Sequence, residues 1–152
     1  LNPEPSILQT FNESDENVPL QQSEASSILN LISKHEEASF ELVELVYVDE
    51  QEIIRINKEH LDRDYVTDII SFRYDDGHEN NDNSAIEGTL FCCALRIIEQ
   101  ATEFDQTKEQ EFRRIFIHGL LHLIGYEDDN EAMKKEMTIL ENKYLKLAKP
   151  NK

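Results

Sequence analysis

The sequence predicts an α+β fold, a small mixed β-sheet packed with several helices, and three observations predict it. Short segments of period-two or β-branched character stand between longer segments of helical periodicity. One helical segment, Phe112–Ile124, is apolar nearly all round, which places it in an interior rather than on a surface. Finally, 152 residues at 39% hydrophobic fit one domain, residues 1–152, able to bury a core without disulfides or other staples.

The elements follow in order. Ile7–Phe11 reads as a short strand, and the acidic stretch Asn12–Asn17 as a loop. Ser23 can cap a helix running to about Lys34, with Ala25, Ile28, Leu29 and Ile32 on one face. Phe40–Val48 is a strand in which Phe40, Leu42 and Val46 alternate with Glu41 and Glu44. Asp49-Glu-Gln-Glu52 has the shape of a capping box and opens a helix carrying Ile53, Ile54 and Ile56, which fades near His60. After a polar connection, Thr67–Tyr74 is rich in β-branched and aromatic residues and reads as a strand. Asp75–Ser84, with Gly77 among Asp and Asn residues, reads as a loop.

Ile86–Cys93 is the next strand, followed by a helix over Ala94–Phe104 with Leu95, Ile98 and Ala101 inward. Thr107-Lys-Glu-Gln110 is a second capping box and opens the apolar helix, which Gly125 ends as a left-handed cap. A last amphipathic helix runs from Asn130 to Leu147 through Met133, Met137, Leu140 and Tyr144. Cys92 and Cys93 are adjacent inside an apolar run, so they serve as small hydrophobes and not as a disulfide framework.

A formal charge of −17 keeps the chain in solution and repels polyanions, which argues against nucleic-acid binding over the whole surface. A bound dication and a few arginines can still reverse the field over one cleft. No run approaches the roughly 18 apolar residues of a membrane span, and no secretory pattern opens the chain, so a cytoplasmic location is expected.

Chemistry concentrates in His118-Gly-Leu-Leu-His122-Leu-Ile-Gly125-Tyr-Glu-Asp128. Residues four apart share a helix face, so both imidazoles project toward one point. Gly125 lets the chain reverse, and Asp128 can return as a third ligand; Glu127 or Asp129 could stand in its place. Two histidines and a carboxylate are a ligand set for catalytic zinc that leaves a fourth position open for water. Position 119 is glycine, so the general-base glutamate of H-E-x-x-H peptidases is missing.

The stretch HGLLHLIGYEDD resembles the signature H-G-x-L-H-L-x-G-Y-D-H of the YbeY family of bacterial endoribonucleases, which are implicated in ribosomal RNA maturation. Ile56-Asn57 followed by Thr67-Asp68-Ile-Ile-Ser71-Phe72 resembles a second family block, L-N…P-T-D-V-L-S-F. The resemblance implies a compact α+β fold and zinc-dependent cleavage of single-stranded RNA. It also implies a part in small-subunit ribosomal RNA maturation and ribosome quality control, with ribosomal RNA and the ribosome or its proteins as partners. It implies one zinc ion on His118, His122 and Asp128, the aspartate standing where the family has a third histidine. The family arginine would fall on Leu61, so Arg63 or Arg73 is the candidate to meet phosphate, with His118 and Ser71 beside it. The family's acidic G-D-I reads Gly88-Thr89-Leu90 here. Tryptophan is absent and the phenylalanines look like core, so no stacking platform for bases is evident. The rival expectations are a metal-dependent hydrolase of peptides or small esters, and a non-catalytic ribosome-associated zinc module.

Overall fold

The structure is a computed structural model and describes residues 7–74 and 85–148. The loop expected over Asp75–Ser84, with His78, lies outside the described residues. In chain order the elements are β1 (Leu8–Asn12), α1 (Gln22–Glu36), β2 (Phe40–Val48), α2 (Glu50–Leu61) and β3 (Ile69–Arg73). They are followed by β4 (Ile86–Cys93), α3 (Ala94–Glu103), α4 (Lys108–Ile124) and α5 (Glu131–Ala148). The sheet order is β1-β2-β4-β3; β1, β2 and β4 run parallel and β3 runs antiparallel to β4, the mixed α+β sheet the sequence predicts.

β2 departs from the simple alternation. A register irregularity between Phe40 and Leu42 resets the pleat, so Val43, Leu45 and Tyr47 join the main core. Val46 and Val48 turn the other way and pack with Ile53 and Ile56 of α2, Ile70 and Cys93. A parallel strand covered on both faces reads as a nearly continuous apolar run, which is why its alternation is blurred. The main core holds α4 residues Phe112, Phe116, Leu120 and Leu121 against the sheet and α1, with Met137, Tyr144 and Leu145 from α5. In α3 Ala94, Ile97 and Ala101 are buried, while Ile98 packs partly buried against the main core and Leu95 is half-buried. On α5, Met133 and Leu147 are exposed; the buried stripe is Met137, Glu141, Tyr144 and Leu145.

Helix ends divide by what competes for the capping side chain. Thr107 accepts from the Gln110 N–H at 3.0 Å, as its motif requires. Asp49 makes no such cap: its Oδ1 accepts the Asp15 N–H at 3.2 Å, tying the loop after β1 to the start of α2. Ser23 lies inside α1, whose N-cap is Gln21. Cys92 and Cys93 are buried and free, and burial pushes both thiols up, away from reactivity. Among the described residues, no helix is long and apolar enough to cross a membrane.

Candidate metal centre

The centre is built at the C-terminal end of α4. Gly125, at φ 128°, ends the helix: its N–H donates to the His122 carbonyl and the Tyr126 N–H to the Leu121 carbonyl. This paired closure needs a residue without a Cβ, and it turns the chain back over the last helical turn. Asn130 then caps α5, accepting the Met133 N–H at 2.9 Å. Asp128 hangs in the short bridge between these two anchored points.

His118 Nε2 and His122 Nε2 stand 3.0 Å apart. Asp128 Oδ2 is 3.6 Å from the first and Oδ1 is 3.8 Å from the second. Two donors at about 2.0–2.1 Å from one tetrahedral ion stand roughly 3.3–3.4 Å apart. The observed spacings bracket that figure, and the ligand atoms all lie within 4.8 Å of one another, so this donor set fits one small dication. Glu127 and Asp129 are exposed beside it and do not join the cluster.

His118 has a partner that sequence inspection missed. Its Nδ1 lies 2.5 Å from Glu141 Oε2, and Glu141 Oε1 accepts from Arg114 Nη1 at 2.9 Å. Arg114 also donates to Asn142 Oδ1 at 2.7 Å. A carboxylate on Nδ1 fixes the tautomer that leaves Nε2 free toward the cluster, as metal-binding histidines commonly require. The signal was present: Glu141 falls on the helical stripe of Met137 and Tyr144, and a glutamate at a core register needs partners. Burial, the largest influence on each ring, pulls both imidazoles down from their ordinary value. At His118 the hydrogen bond and charge of Glu141, with the charges of Asp128 and Asp68, outweigh it and the net displacement is upward. At His122 the neighbouring His118 adds to burial and the net displacement is downward.

Gly119 lies where α4 rests closely on the sheet. A Cβ there would meet Ile69 Cδ1 at 2.7 Å and Leu90 Cδ1 at 2.9 Å, because this side of α4 lies directly on the sheet. A side chain at 119 would have to displace the ends of Ile69 and Leu90, and with glycine in place the chain lacks the general-base glutamate of H-E-x-x-H peptidases.

The sequence model described as Endoribonuclease YbeY matches residues 9–149. The chain belongs to the YbeY family. It is 40% identical over 117 residues to the Endoribonuclease YbeY of Chloroherpeton thalassium, covering 77% of this chain and 79% of that one. It is 32% identical over 138 residues to that of Chlorobaculum tepidum, covering 91% and 95%. The solution structure of TM1509 from Thermotoga maritima superposes with a TM-score of 0.64 at 27% identity, over 93% of this chain and 88% of that one.

The remaining YbeY-like positions sort by what they touch. Leu61, where the family pattern has arginine, is 41% exposed at the end of α2. Arg63 is exposed in the following loop and its side chain has no partner among the described residues. That loop is held by buried Asn57, whose carbonyl accepts the Arg63 N–H at 3.2 Å and whose Nδ2 donates to the Tyr65 carbonyl at 3.0 Å. Arg73 instead donates to the Leu123 carbonyl at 3.0 Å, where it satisfies the last turn of α4. Ser71 lies on β3 between Ile69, which packs on Gly119, and Arg73; its hydroxyl takes no partner among the described residues. Asp68, at the mouth of β3, is close enough for its charge to act on His118. Thr89 lacks the family's acid, but its hydroxyl donates at 3.0 Å to Glu44, directly across in register on β2, and accepts from Tyr74 at 3.0 Å. His60 meets Phe72 edge-on and His35 meets Tyr144 edge-on; both histidines are exposed and neither joins the cluster.

Proposed function

We propose that the protein is a zinc-dependent endoribonuclease that cuts single-stranded ribosomal RNA in small-subunit maturation and ribosome quality control, in the cytoplasm, as a single catalytic domain. The observation that carries this is the convergence of His118, His122 and Asp128 in a chain whose relatives bear the name Endoribonuclease YbeY. A divalent ion held there supplies Lewis-acid polarisation of a phosphoryl oxygen. The protein's own residues do the rest. Glu141 keeps the His118 proton on Nδ1, and Asp128 and Asp68 make the mouth of the site anionic. Such a mouth repels phosphate until a dication reverses the local field. RNA binding, and not only cleavage, is therefore expected to need the metal. The test compares zinc-loaded and chelated protein on single-stranded ribosomal RNA fragments, reading both cleavage and retention on a gel. Undiminished cleavage by fully chelated protein would defeat the proposal. A chelated protein that stays folded while losing activity marks the ion as catalytic, since loss of a structural ion unfolds the chain.

Arg63 is the arginine assigned to phosphate. Of the candidates, it has a guanidinium without an internal partner among the described residues, whereas Arg73 closes α4. Arg63→Ala is expected to lower the cleavage rate roughly 10²-fold with little change in melting temperature. Arg73→Ala is expected to cost about 1 kcal/mol of stability and to change cleavage less. Parallel melting curves and single-turnover rates check both, and a reversed pattern would move the assignment to Arg73.

A further inference from the structure

Glu36 breaks a local rule. It is the last residue of α1, followed by Glu37 in the left-handed region at φ 53°, so its carboxylate stands at the negative end of the helix dipole. Lys34 and His35 in the same turn obey the rule. Glu36 does not face water alone. Its Oε1 accepts the Tyr126 hydroxyl at 2.6 Å, and its Oε2 accepts the hydroxyl of Tyr144. The carboxylate thus joins three parts distant in sequence: α1, the bridge after α4, and α5.

The position of Tyr126 gives this clasp its meaning. It is the first residue after Gly125, its N–H is fixed to the Leu121 carbonyl, and its ring packs against the main core. Asp128 follows two residues later, before the chain is fixed again at Asn130. Without the Glu36 contact the Tyr126 side chain would be held by ring packing alone, and Asp128 would follow a less firmly fixed residue. Both phenols are pushed up, Tyr126 to about 12 chiefly by the hydrogen bond to Glu36, Tyr144 chiefly by burial and then by the same carboxylate. A departure from the usual pattern of helix-end charge is expected where function demands it.

We infer that Glu36, through the Tyr126 hydroxyl and braced by Tyr144, is a positioning residue that sets Asp128 at ligand distance from His118 and His122. This rests on the metal reading of the cluster. It makes the third ligand's place depend on a residue of α1, outside the signature.

The test measures zinc affinity by competition with a chromophoric chelator, together with melting curves. Glu36→Gln and Tyr126→Phe are each expected to weaken zinc binding about tenfold, within the range for outer-shell partners, and the double variant no further. In an Asp128→Ala background, where the His118–His122 pair alone holds zinc more weakly, Glu36→Gln should change affinity less than about twofold while lowering the melting temperature as before. An equal loss of affinity in both backgrounds, or none in the wild-type background, would overturn the inference while leaving the metal site intact. A wild-type protein that takes up no zinc would overturn the site and the inference together.

Discussion

His122→Ala is expected to take up zinc far more weakly than the parent and to cleave single-stranded ribosomal RNA at background rate. The loss should be at least roughly 10²–10³-fold, the scale seen when a group stabilising developing charge is removed. The substitution is expected to leave the fold largely undisturbed, because His122 is only half-buried in the last turn of α4 and its ring meets His118 of the cluster and the Tyr126 backbone. Removing it takes away one of the two Nε2 atoms that stand 3.0 Å apart at the centre of the cluster. Melting temperature in the presence of chelator should therefore be nearly unchanged. The zinc-induced rise in melting temperature, which follows from binding the native state alone, should shrink or vanish. Equal RNA cleavage by parent and variant, prepared side by side, would identify a contaminating nuclease and remove the catalytic claim.

Much of the centre is legible in the sequence because its information is local. A four-residue spacing on an apolar helix, a glycine where the helix must stop, and a carboxylate within one turn's reach need no tertiary knowledge. Thr107 caps α4 as its motif says, since among the described residues nothing else competes for its hydroxyl. What sequence inspection could not supply depends on which elements meet. The Asp49 box looks as convincing as the Thr107 one, yet the loop after β1 supplies an N–H that takes its carboxylate. Val46 looks like a partner of Phe40 until the register irregularity sends it to the α2 side of the sheet. The two candidate arginines are indistinguishable along the chain. They separate once β3 brings Arg73 onto the Leu123 carbonyl, 50 residues away in sequence. Glu36 and Glu141 carry no local motif, and each proves to be a carboxylate committed to partners on other elements.

Glu141 carries the second large effect, and its two substitutions should separate orientation from charge. In the parent its side chain is 9% exposed, accepting from Arg114 on one oxygen and facing His118 Nδ1 with the other. Glu141→Gln keeps an acceptor for one of these neighbours but removes the charge. It is expected to weaken zinc binding about tenfold, the lower end of the range for outer-shell partners. Glu141→Ala leaves both Arg114 and the His118 Nδ1–H without the carboxylate. It should weaken zinc about 100-fold and cost about 1–3 kcal/mol of stability, the penalty for stranding partly buried polar groups. The direction of the affinity change decides between two roles. A carboxylate that only neutralised Arg114 could be replaced, with Arg114→Met beside it, at little cost to zinc affinity. A carboxylate that orients His118 could not, and the double variant should bind zinc as poorly as Glu141→Ala alone. Chelator competition on the parent, the two single variants and the double variant gives the answer. Restored affinity in the double variant would reduce Glu141 to a charge partner of Arg114, whereas persistent loss would place it in the support of the metal centre.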